Sequence, residues 1–241
     1  MKVFYVKLSL LGCVLFFSCG KTSQELTEEA RKLLQMQKYE EAILLLNKAI
    51  DKNSKNAEAF NARGVALFEL GKFKDALLDY EQAIRLDSSN YKPFYNRAEV
   101  FRVQKKYAEA IQDYNKAVQK NAQIADLYVN RGVCYYNLQD TTQALTDFRK
   151  AVELQKDNKL AWFNLGNLLF FSQNPVHIQE AAQCFEKTIA LDSSFQKAYV
   201  NLAQSYIRLN QKEKACEQLQ KAKSFNNAEA IQLYQIFCSK P

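Results

Sequence analysis

The chain has 241 residues, 48% hydrophobic and 24% charged, an ordinary globular balance that excludes a disordered chain. Six Gly and three Pro leave few strand and turn signals, and the helix formers Ala, Leu, Gln, Lys and Glu dominate after residue 22, so the expected class is all-α. The formal charge of +7 is a mild excess, with Lys and Arg interspersed among acids rather than gathered on one face, which argues against a nucleic-acid groove.

Residues 1–19 open with a basic stretch ending at Lys7, continue with an apolar run from Leu8 to Phe17, and close on Ser18 and Cys19. That run is too short to cross a bilayer as a helix, which needs about 20 residues, so it reads as a signal peptide. Phe16-Phe17-Ser18-Cys19 resembles the lipobox of bacterial lipoproteins. The resemblance implies cleavage before Cys19, acylation of its thiol and its new amine, a removed segment 1–18 and a lipidated tether 19–22. Phe16 stands where Leu is usual; Leu10-Leu11-Gly12-Cys13 fits the pattern better but leaves a shorter apolar run carrying Lys7, so Cys13 is the alternative. An ordinary signal peptide with an incidental cysteine is the plainer reading. Two or more acyl chains anchor a protein stably, where one is marginal. Gly20-Lys21-Thr22 shows neither the Asp nor the acidic run of other sorting patterns, which points to the outer membrane, facing the periplasm.

Thr22 followed by Glu25 has the spacing of a capping box, so the first helix is expected directly after the tether. From there the chain repeats with a period of 34 residues: 23–56, 57–90, 91–124, 125–158, 159–195 and 196–229, of which only the fifth is longer. Position 8 of the units holds Ala30, Gly64, Ala98, Gly132, Gly166 and Ala203, and position 20 holds Ala in all six. Position 24 holds Leu46, Tyr80, Tyr114, Phe148, Phe185 and Leu219. Small residues that let two helix axes approach, with one large apolar group filling the gap, describe an antiparallel helix pair. Trp162-x₂-Leu165-Gly166-x₂-Leu169 followed by Ala181-x₃-Phe185 resembles the tetratricopeptide (TPR) signature. This implies a right-handed solenoid of six TPR helix-turn-helix repeats. The family's Pro at position 32 is replaced in every unit. Residues 230–241, with Ile231, Leu233, Tyr234, Ile236 and Phe237, read as a capping helix and tail.

Arg63, Arg97 and Arg131 hold position 7 of units two to four, and Asp79, Asp113 and Asp147 hold position 23 of the same units; the other three units have neither. Joint presence and joint absence predict an Arg–Asp bridge within each of these repeats.

In TPR arrays positions 2, 5, 6, 9, 12 and 13 line the concave face. By that resemblance the partner-binding groove comprises Tyr95, Asn96, Val129, Asn130, Tyr136, Phe163, Asn164, Phe170, Phe171 and Asn201. This is an apolar surface over units four to six with regularly placed amides, suited to a hydrophobic peptide or partner helix. Inter-repeat packing is the plain alternative for any one of them. The family's chaperone-tail clamp is incomplete, with Thr27, Arg31, Ala62, Lys92 and Asn96 at its positions. The extra residues of unit five, near Pro175, Val176 and His177, read as loop variation, and His177 lacks companions at metal-ligand spacing. Cys134, Cys184, Cys216 and Cys238 read by default as buried thiols, with a Cys216–Cys238 bridge as the alternative. The expectation is a non-enzymatic scaffold or adaptor on a bacterial envelope membrane, holding a protein or peptide, with no cofactor, metal, nucleic acid or small-molecule substrate. A self-assembling structural protein is the alternative.

Overall fold

Seven of the thirteen described helices start on a side-chain acceptor, and the first is the Thr22–Glu25 pair. The Thr22 side chain accepts from the Glu25 amide at 3.2 Å, and the Glu25 carboxylate accepts from the Thr22 amide at 2.7 Å. The computed structural model describes residues 20–172 and 174–239. The segment carrying Cys13 and Cys19 lies outside them.

Among the described residues there are thirteen helices and no strands. Six antiparallel pairs follow one another. The A helices are α1 (Ser23–Gln35), α3 (Ala57–Glu69), α5 (Tyr91–Val103), α7 (Ala125–Asn137), α9 (Lys159–Phe170) and α11 (Gln196–Arg208). The B helices are α2 (Tyr39–Lys52), α4 (Phe73–Leu86), α6 (Tyr107–Lys120), α8 (Thr141–Leu154), α10 (Pro175–Leu191) and α12 (Lys212–Ser224). A thirteenth, α13 (Ala228–Phe237), packs on α12. It begins earlier than residue 230, because the Asn227 side chain caps it by accepting from the Ala230 amide at 3.0 Å.

Five A-to-B turns share one geometry. Gln37, Gly71, Lys105, Gln139 and Asn210 sit at φ between 56° and 71°, the left-handed region. At each, two amides fold back onto the helix end, as where Lys106 donates to Phe101 and Lys105 to Arg102. This is the Schellman closure, which satisfies carbonyls that a helix end leaves open. The return turns use the residue at position 31: Asn53, Asp87, Asn121 and Asp192 each accept from the amide two residues on, at 2.9–3.0 Å. These side chains close the turn where the family uses proline.

Unit five corrects the loop expectation. Pro175, Val176 and His177 are the first residues of α10, which runs to 17 residues. Asn174 caps it and Pro175 stands at its first position, where a missing amide costs nothing.

The pairs close on their small residues. The alanines at position 20 are fully buried in all six units. A Cβ at Gly64 would stand 2.5 Å from Tyr80 Cε1, at Gly132 2.7 Å from Phe148 Cε1, and at Gly166 2.8 Å from Phe185 Cε1. Each ring therefore lies flat on backbone, a close approach that only glycine permits without a shift.

The three Arg–Asp bridges form. In each, Nε and Nη2 donate to the two carboxylate oxygens at 2.6–2.8 Å, and Asp79, Asp113 and Asp147 are 5%, 3% and 2% exposed. Arg63 and Arg131 also reach the preceding B helix, donating from Nη1 to Asn47 and Asn115 at 2.7 Å.

The cysteines divide, which corrects the default of four thiols. Cys216 and Cys238 are joined in a disulfide that fastens the end of α13 to α12. Cys134 and Cys184 are free and buried, and burial pushes both thiols up to about 12, so they remain protonated at neutral pH.

Candidate functional site

Successive A helices touch one another, whereas successive B helices meet chiefly the A helix between them. The A side is therefore the narrow, inner face of the curve. A cavity of about 370 Å³ opens there, lined by α1, α3, α5 and α7 or the turns that precede them. Its walls carry Arg31 and Leu34 from unit one, Glu58, Asn61 and Val65 from unit two, Lys92, Tyr95 and Asn96 from unit three, and Asp126 from unit four.

These groups are held in place by one another. Arg31 donates to Glu58 at 2.6 Å across the first two units. Asn96 donates from its side-chain amide to Asn61 at 2.9 Å, linking units two and three. Asn130 donates to the Tyr95 hydroxyl at 3.1 Å and to Glu99 at 3.0 Å, linking units three and four. Glu99 also accepts from Tyr114 and, at 2.6 Å, from Arg102. Tyr95 thus stands half-buried against Tyr114, ring centroids 6.1 Å apart, and burial pushes its phenol well above the ordinary range. Lys92 makes no ion pair among the described residues. The groove offers a rigid aromatic wall, side-chain amides and both signs of charge. Such a lining can pair an extended backbone and clasp a large side chain beside it.

The ten sequence-derived groove residues do not form one surface. Tyr95, Asn96 and Asn130 belong to this cavity or its bracing. Val129 does not, and this is a correction: it is 5% exposed, because a Val at position 5 is too short to emerge where Tyr95 and Phe163 reach further. Phe163 is half-buried between Phe195, at 4.8 Å, and Phe185, at 5.9 Å. Asn201 donates to Asn167 at 2.7 Å, while Asn164, half-buried, makes no side-chain hydrogen bond among the described residues. Phe170 lies under the Arg208 guanidinium at 5.0 Å, and Arg208 also donates to the Phe170 carbonyl and, at 2.9 Å, to that of Ser172. Tyr136 and Phe171 line a separate recess of about 520 Å³ at the A-to-B turns, beside His177. Thr141, Thr142 and Leu145 of α8 share that recess, so Tyr136 and Phe171 lie apart from the cavity of units one to four.

Of the further groove residues, Arg31 and Lys92 were read from the sequence only as members of an incomplete clamp, and Glu58 and Asn61 were not singled out at all. All four occupy positions 2, 5 and 9, so the same positional pattern applied to units one to three finds them.

Models of the tetratricopeptide repeat match residues 27–91 and 67–125, residues 125–158 and residues 196–232. The tetratricopeptide repeat-containing protein trd-1 of Caenorhabditis elegans is 35% identical over 74 residues, 31% of this chain and 9% of that far longer protein. Among solved structures the chain is similar to YrrB, described as a TPR protein with an unusual peptide-binding site, with a TM-score of 0.66 at 27% identity over 79% of this chain and 97% of that one. It is also similar to pilF of Pseudomonas aeruginosa, with a TM-score of 0.78 at 20% identity over 89% and 96% of the two chains. A tetratricopeptide repeat protein from Parabacteroides merdae aligns with a TM-score of 0.65 at 22% identity over 85% and 80%.

Proposed function

From the premise that the chain belongs to the tetratricopeptide-repeat family, a family of protein-interaction scaffolds, we propose that it is a lipid-anchored adaptor of the bacterial envelope that holds a partner peptide in the groove of units one to four. The observation that carries the groove is the bracing of Tyr95: a ring fixed by Asn130 and Glu99 loses little freedom when a ligand packs on it. YrrB, a structural relative that binds peptide, lends the reading further support. The amide pair Asn61–Asn96 supplies a donor and acceptors beside that ring, and Arg31, Glu58, Lys92 and Asp126 offer both signs of charge to flanking side chains. The proposed role is that of a scaffold rather than a catalyst, in keeping with the family.

Capture of crosslinked partners from native cells tests the groove. The Tyr95→Ala, Asn96→Ala variant is expected to lose captured partners about 10-fold or more, as truncating a central aromatic anchor costs about 2 kcal/mol. Circular dichroism should remain unchanged. Partners that persist undiminished would move recognition to another face.

The membrane attachment rests on the sequence at Cys19. None of the described helices is long and apolar enough to cross a membrane, and the attachment proposed is through acyl chains on Cys19. Growth with an alkyne-tagged fatty acid is expected to label the wild type, and Cys19→Ser to abolish the label and release the protein from membranes. Label lost only in Cys13→Ser would relocate the anchor, and an unlabelled wild type would remove it.

A further inference from the structure

In units two and four the Arg–Asp pair spans the seam between successive B helices: Arg63 reaches Asn47 on one side and Asp79 on the other, as Arg131 reaches Asn115 and Asp147. Unit five puts Leu165 and Cys184 at those two positions. Both are buried, and neither carries the charged group that fills the seam beside Arg63. A recess of about 650 Å³ opens between α8 and α10, on the opposite side of the array from the groove; the corresponding recess beside Arg63 measures about 370 Å³. Its floor is Val152, Trp162, Leu165 and Cys184. Trp162 is fixed by donating from Nε1 to the Lys156 carbonyl at 2.9 Å.

The rim charges are unequal once their pairing is counted. Arg149 is engaged by both Glu180 oxygens at 3.0 Å, and Glu153 by Lys150 at 3.0 Å. Lys156 and Lys187 also line the rim and make no ion pair among the described residues. The recess therefore presents an apolar floor beneath two uncommitted cations, with every rim carboxylate already neutralised. We infer that it is a second docking site, distinct from the proposed groove, for an acidic segment of a partner protein that inserts one bulky apolar side chain between flanking carboxylates. An array with recognition sites on both faces can hold two partners at once.

Trp162 is the only tryptophan in the chain and lies in the recess wall, so its emission reports occupancy. Random dodecapeptides displayed on phage are selected against the full chain in detergent and counter-selected against Lys156→Glu, Lys187→Glu. Both lysines are exposed, and circular dichroism checks that the variant is folded. A tryptophan-free synthetic copy of the selected sequence is then titrated against Trp162 emission. The expected result is a consensus of one large apolar residue flanked by Asp or Glu. Binding should shift the emission, weaken at least tenfold in the charge-reversed variant, and persist in Tyr95→Ala. The proposal is overturned if no sequence survives counter-selection, if survivors are basic or neutral, or if Tyr95→Ala abolishes their binding. It is equally overturned if dodecanoate below its micellar concentration shifts the emission while the selected peptides do not, which would make the recess a site for free amphiphiles.

Discussion

Asp113→Ala is expected to lower the stability of the array by about 3–5 kcal/mol, because it removes one partner of a buried ion pair and leaves the other charge uncompensated. The Arg97 side chain is only 19% exposed and has Asp113 as its sole hydrogen-bonded partner, so water can recover little of the loss. The pair itself need not stabilise the fold relative to an apolar isostere, since desolvating two charges costs nearly what their attraction returns. Replacing both by apolar residues, Arg97→Met with Asp113→Leu, should therefore cost much less than Asp113→Ala alone. A urea-denaturation double-mutant cycle measures the difference. Additive effects of the two single substitutions would mean that the bridge contributes nothing beyond its separate parts.

Reducing the Cys216–Cys238 bond is expected to remove about 3 kcal/mol, the loop-closure value for a bridge between residues 22 apart. The loss should be local. Within α13 only Ala230 is buried, with Leu233 and Tyr234 partly so, and a ten-residue helix with so little covered surface does not hold its place unaided. Dithiothreitol, or Cys238→Ser, should abolish amide protection in α13 and lower the denaturation midpoint, while α3 to α8 keep theirs. Identical protection in the oxidised and reduced protein would show that packing alone holds the cap.

The 34-residue period made the helix pairs legible, because small residues at positions 8 and 20 and a large apolar side chain at position 24 fit close-packed antiparallel helices. The Arg–Asp bridges were legible from their joint presence in units two to four. The groove was not. Its location depends on how far a side chain at a given position extends, and Val129 and Tyr95 share position 5 while only the tyrosine reaches the inner surface. Tyr136 and Phe171, at positions 12 and 13, line a recess apart from the cavity of units one to four, while Phe170, also at position 12, packs beneath Arg208 of the next A helix. The disulfide joins α12 to the residue capping α13 across a reversal of the chain, a meeting that spacing within either helix does not encode. Unit five was read as a longer loop because its insertion follows helix A. Asn174 and Pro175 instead begin α10 there, and the extra length becomes helix.

One left-handed turn residue recurs at position 15 of five units with Gln, Gly, Lys and Asn all serving, so the joint depends on backbone geometry more than on any side chain. An array with such a standard joint can lengthen by whole-unit duplication or shorten by in-frame deletion without a new connection being invented. Unit five is the exception in length, its helix B, α10, running to 17 residues where the other B helices have 13 or 14. Copying that unit would carry along the longer α10 as well. Units one to four, which share both the joint and the helix lengths, are therefore the simplest to copy or delete whole.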